Sequence, residues 1–161
     1  IEKIALEMHP GFCVYNTETL LRLREAAGHA IGANFDPSHL YWQGMEPAES
    51  IHRLSGAIYH FHAKDVRLQA YNTAVNGVLD TREESISGPG HRPWLFRTVG
   101  YGHGAAEWRE MLSALRLAGY GGAISIEHED VLMSAEEGLE KAIDFLKPMV
   151  FRNEAGDIFW K

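Results

Sequence analysis

Four short apolar runs, residues 3–8, 30–35, 57–63 and 122–127, recur along the chain with segments of helical spacing between them. Strands alternating with helices leave few folds open, because parallel strands need long crossovers and those crossovers are right-handed. The first run stops at Pro10-Gly11 and the second at Asp36-Pro37, both strong turn signals. Between them, Asn16 or Thr17 can cap a helix that carries Leu20, Leu21 and Leu23 and ends at Gly28. Pro47 suits the first position of a second helix reaching Leu54, since its missing N–H has no helical partner there. Trp108, Met111, Leu112 and Leu115 follow the i, i+3, i+4, i+7 spacing of a helix that stops at Gly119. Ser134 and Glu137 form a capping-box pattern ahead of a last helix that buries Leu139, Ala142, Ile143 and Leu146.

Residues 66–104 carry Gly, Pro, Asn and Ser with no sustained period. A loop of this length inside a compact domain is usually functional, so it is predicted to be a lid. The fold class is therefore α/β: four βα units forming the C-terminal half of a (β/α)8 TIM barrel over residues 1–150, with a long loop after the third strand and a tail at 151–161. The chain lacks an initiator Met and enters a strand pattern at Ile4, as the later half of a longer barrel would. An open four-stranded sheet leaves two unpaired edges and an apolar inner face, so pairing with a missing N-terminal half, or homo-oligomerisation, is expected.

Composition narrows the chemistry. Hydrophobic residues at 45% and charged residues at 23% describe an ordinary globular unit. A net charge of −7 with no basic run gives no electrostatic footing for a nucleic-acid partner. No stretch approaches the roughly 18 apolar residues a membrane helix needs. Cys13 stands alone, without a CxxC companion or a disulfide partner, and a cytoplasmic location is expected.

Each apolar run ends in a residue that can bind a metal: Glu7, Asp36, His62 and Glu127. In a parallel barrel all strand C-termini open on one face, so these side chains are expected to converge. Three carboxylates and one imidazole make an oxygen-rich site for one divalent ion, with Mn²⁺ or Mg²⁺ favoured and Co²⁺ or Zn²⁺ compatible. His39 can reach either the metal or a substrate oxygen, and His9 shares the direction of Glu7 if the strand persists. His60 and His62 also share a strand face, and His62 is nearer the strand end. Arg67 can reach back to substrate oxygens. Gly100-Tyr101-Gly102 lacks the third glycine and preceding strand of a dinucleotide loop and reads as a tight turn ahead of a helix.

Together the segments Leu6-Glu7-Met8-His9-Pro10, Asn34-Phe35-Asp36-Pro37-Ser38-His39, His60-Phe61-His62-Ala63-Lys64-Asp65 and Ser125-Ile126-Glu127-His128-Glu129 resemble the sugar phosphate isomerase/epimerase family, a xylose-isomerase-like TIM-barrel superfamily. The resemblance covers the C-terminal half of a family member. It implies a metal held by Glu7, Asp36, His62 and Glu127, substrate contacts from His9, His39 and Arg67, and acid/base roles for Glu7 and Glu127. The implied reaction is a sugar isomerisation or epimerisation through a metal-stabilised enediolate. An inosose or sugar-acid dehydratase is the alternative within the same fold, and a non-catalytic half-barrel binding module is the alternative outside it. AP endonucleases of the superfamily need an Asp-x-His pair where this chain has Pro89-Gly90-His91.

Overall fold

The computed structural model describes residues 2–80, 82–83, 88–153 and 156. Its main sheet holds β1 (Ile4–Glu7), β2 (Ile31–Phe35), β3 (Ile58–Ala63) and β6 (Ile124–Ile126), all parallel, in the order β1-β2-β3-β6. The connections carry α1 (Thr17–Ala27), α2 (Pro37–Tyr41), α3 (Pro47–Arg53) and α5 (Ala105–Leu117), and α6 (Ala135–Leu146) follows β6. This is the α/β half-barrel that the alternation predicts. No helix among the described residues is long and apolar enough to cross a membrane.

Local chemistry sets the helix ends. Asn16 accepts the Thr19 N–H at 2.9 Å while the Thr19 hydroxyl oxygen accepts the Asn16 N–H at 3.1 Å, a reciprocal cap for α1. Ser134 accepts the Glu137 N–H at the start of α6. On α5 the predicted apolar stripe of Trp108, Met111, Leu112 and Leu115 is buried, and it packs in one cluster with Phe35, Phe61 and Ala63 from the sheet.

Strand alternation then sorts the two faces of the sheet. Leu6, Ala33, Phe35, Phe61 and Ala63 point toward the helices and belong to the core or pack against it. The opposite face carries Ala5, Glu7, Asn34, His60, His62 and Ser125, all half-buried or exposed. The expected apolar inner face is thus a polar one toward the strand ends, because this is where Glu7, Asn34, His60 and His62 project. β1 and β6 each have one neighbour in the sheet among the described residues.

The stretch read as an irregular lid also differs from expectation. Its described part contains β4 (Asp65–Leu68), α4 (Ala70–Asn76), a 3₁₀ turn (Pro89–His91) and β5 (Trp94–Arg97). β4 and β5 pair antiparallel as a separate ribbon, with Leu68 opposite Trp94. Four-residue strands are too short to print a period on the sequence, which is why the segment reads as structureless. Residues 81 and 84–87 of the expected lid, and 154, 155 and 157–161 of the expected tail, lie outside the described residues.

One buried carboxylate ties this ribbon to the barrel. Asp65 is fully buried and accepts the backbone N–H groups of Val66, Gly100, Gly102 and His103 at 2.8 to 3.1 Å. The His103 ring at 2.8 Å and the Trp108 indole N–H at 3.3 Å complete the set. The Gly100-Tyr101-Gly102 turn wraps this carboxylate. Gly100 has φ 89°, and a Cβ on Gly102 would overlap the Val66 carbonyl oxygen. Asp65→Asn keeps the shape but leaves several of these donors poorly satisfied, and should lower the unfolding free energy by about 2–3 kcal/mol in urea titrations. A loss below about 0.5 kcal/mol would show that the turn holds without the charge.

Candidate metal centre

The parallel register carries Glu7, Asp36, His62 and Glu127 to one end of the sheet. Glu7 closes β1 opposite Asn34, and His62 lies in β3 opposite Ser125. Asp36 follows β2 as the cap of α2, its Oδ1 accepting the Ser38 N–H at 2.8 Å. Glu127 lies one residue past β6, where its N–H still donates to the Ala63 carbonyl at 3.2 Å. One ligand atom from each of these four residues lies within 4.8 Å of the other three.

The contacts inside the cluster are those of a site short of positive charge. His62 Nδ1 faces Glu127 Oε2 at 2.7 Å and Glu7 Oε1 at 3.1 Å, yet one ring nitrogen carries at most one proton to share. Asp36 Oδ2 is buried without a hydrogen-bond partner, 3.5 Å from His39 Nε2 and 3.6 Å from Lys64 Nζ. Burial pushes the Asp36 carboxyl up to about 7, with the Glu7 charge adding to it and Lys64 and Ser38 opposing. Burial likewise drives the His39 imidazole down to about 3, helped by the positive fields of Lys64, His9 and His62. At neutral pH His39 is therefore an uncharged ring. A buried carboxylate oxygen without a donor, beside two half-exposed glutamates and an imidazole, fits a hard divalent cation.

Around the cluster stand His9, His39 and several residues that the sequence did not single out. The His9 ring lies 4.2 Å from that of His39, and Phe96 of β5 meets His39 edge-on at 5.5 Å. Trp94 stacks on Trp42 and touches Phe96, so the ribbon sets an aromatic wall beside the site. Lys64 projects into the cluster, where its Nζ donates to Glu127 Oε1 at 2.9 Å and Glu129 Oε2 at 2.6 Å. Burial works against the Lys64 charge, but the Glu129 hydrogen bond, the Asp36 charge and Glu127 together hold its pKa above the ordinary value. Asn34 Nδ2 lies 3.3 Å from His62 Nε2. The two-residue strand period from His60 through His62 to Lys64 was the signal available for Lys64. Arg67 is exposed on β4, and among the described residues no hydrogen bond or ion pair joins it to Glu7, Asp36, His62 or Glu127.

Residues 2–149 match the family profile described as xylose isomerase-like TIM barrel. The chain belongs to this family. It is 43% identical over 150 residues to the uncharacterized protein YfiH of Bacillus subtilis (strain 168), covering 93% of this chain and 47% of YfiH. It is 27% identical over 128 residues to the inosose dehydratase of Geobacillus kaustophilus (strain HTA426), covering 79% of this chain and 39% of that protein. The crystal structure of a xylose isomerase domain protein from Planctomyces limnophilus superposes with a TM-score of 0.63 at 22% identity, over 91% of this chain and 44% of that one. This xylose isomerase-like chain thus spans about half the length, or less, of the relatives it matches, and its family contains enzymes.

The Asp36 carboxyl gives a pH test of the centre. It titrates near 7 in the folded chain against 3.8 ordinarily. As pH rises from 3.8 to 7 the unfolded chain gives up this proton first, so the metal-free fold loses stability across that window. Asp36→Asn should therefore melt above the wild type in chelator at about pH 8, and the gap should close near about pH 4. Thermal melts with chelator check this. A variant that melts no higher than wild type at the higher pH would overturn it.

Proposed function

We propose that this chain carries the catalytic centre of a divalent-metal-dependent isomerase or epimerase acting on a sugar or sugar phosphate. The observation that carries the reading is the meeting of Glu7, Asp36, His62 and Glu127 within 4.8 Å, each from a different strand end. Three oxygen donors to one nitrogen favour Mn²⁺ or Mg²⁺, with Co²⁺ or Zn²⁺ compatible. A bound ion would supply Lewis-acid polarisation of the sugar carbonyl, which acidifies the neighbouring C–H.

The two glutamates differ in freedom. Glu127 has one oxygen held by Lys64 and the other facing His62. Glu7 has Oε1 toward His62 and Oε2 4.0 Å from His39, beyond hydrogen-bond reach. Glu7 is therefore the better-placed base for the substrate C–H. Glu127 approaches the same imidazole from another strand and is suited to return the proton. Return to the opposite side of the same carbon inverts it, an epimerisation; return to the next carbon gives an isomerisation. Uncharged His39 can donate to a sugar hydroxyl without adding a cation beside the metal, and His9 walls it from the side. Arg67 has no part in this reading.

Similarity to an inosose dehydratase favours a second outcome from the same centre. There the proton leaves in the same way, but an adjacent hydroxyl departs as water and the proton is not returned to carbon. The two open edges of the sheet are read as covered by further βα units or by a second copy, and the lone Cys13 suits a reducing cytoplasm.

Calorimetric titration of the full-length chain with Mn²⁺ should give close to one ion per chain. In a panel of ketoses, aldoses and their phosphates, Glu7→Gln and Glu127→Gln should each lower turnover by about 100-fold or more. A product of unchanged mass marks isomerisation or epimerisation, and a product lighter by one water marks dehydration. Undiminished turnover in both variants, or no ion bound, would sink the proposal.

A further inference from the structure

We propose that Lys64 is the standing counter-cation of this centre: it holds the carboxylate cluster together before any ion arrives and fixes Glu127 to offer one oxygen only. The second clause rests on the metal reading above; the first does not. Lys64 follows β3 directly, and its side chain is 3% exposed. A buried ammonium is costly unless paired, and here the pairing is threefold. Glu127 Oε1, Glu129 Oε2 and Asp36 Oδ2 lie 2.9, 2.6 and 3.6 Å from Nζ, and the Phe96 ring covers it with its centroid at 4.1 Å.

The division of oxygens is the informative part. Lys64 takes Oε1 of Glu127 and leaves Oε2 toward His62. On Asp36 the Ser38 N–H takes Oδ1, and Oδ2, the oxygen nearest Lys64, has no hydrogen bond. Each carboxylate thus keeps one oxygen for the fold and turns the other inward. Among the described residues, Lys64 supplies the only ion pairs from a lysine or arginine to the ligating carboxylates. Without it, Asp36, Glu127 and Glu129 face one another with no fixed positive charge among them, and the metal-free chain should carry that repulsion as lost stability.

The test compares Lys64→Met with the wild type in two backgrounds, native and Glu127→Gln/Glu129→Gln, by thermal melts of the full-length chain in chelator and then with Mn²⁺. In the native background Lys64→Met should lower the melting temperature in chelator by roughly 5–10 °C, as expected for a buried charge group left without its partner. Added Mn²⁺ should then raise that variant's melting temperature by more than it raises the wild type's. In the Gln background the same substitution should cost less, because two of the three carboxylates it neutralises are gone and only Asp36 remains. An unchanged or higher melting temperature for Lys64→Met in chelator would overturn the proposal. So would an equal loss in both backgrounds, which would mean that Lys64 only packs. If Lys64→Met fails to fold in the native background, folding of the triple variant supports the proposal and its failure overturns it. A wild type that does not respond to Mn²⁺ defeats the metal reading alone, since the chelator arms still decide whether Lys64 holds the empty cluster.

Discussion

Like charges brought to one spot must be neutralised there, and in this chain that demand follows from strand direction. Four parallel strands end on the same side, so every acidic residue at a strand tip adds to the same small volume. Lys64 meets part of the demand. The Asp36 carboxyl meets another part by resisting ionisation. What is left is an unbonded Asp36 oxygen and two carboxylates competing for one His62 nitrogen, a donor set that fits a divalent cation.

Lys64 and Asp65 are neighbours in sequence and face opposite ways, as successive residues of extended backbone do. The ammonium of Lys64 reaches into the carboxylate cluster. The carboxylate of Asp65 reaches away from it, into the N–H groups of the 100–103 turn. This pair of residues therefore couples the centre to the β4-β5 ribbon, whose Phe96 returns over Lys64 and against His39. The ribbon is part of the wall of the site, and the buried Asp65 carboxylate fastens it to the 100–103 turn.

Much of this was legible in the sequence because period carries it. The four apolar runs, the stripe of Trp108, Met111, Leu112 and Leu115, and the acidic or imidazole residue at each strand end give the half-barrel and the four converging side chains. The ribbon was not legible, since β4 and β5 are four residues each and are separated by a stretch that holds α4 and a 3₁₀ turn. Lys64 was overlooked for a different reason. A lysine beside a strand end reads as solvated, and only three-dimensional packing shows it 3% exposed among carboxylates. Arg67, expected near the substrate because it follows His62 closely in sequence, lies exposed on β4.

Asp36 serves two structures with two oxygens, opening α2 with one and facing the cluster with the other. That double duty restricts how the centre can diversify. Exchanging Asp36 for a residue that cannot accept the Ser38 N–H would also unfasten the first turn of the helix that carries His39. Replacing Glu7 or Glu127 leaves every helix start among the described residues intact.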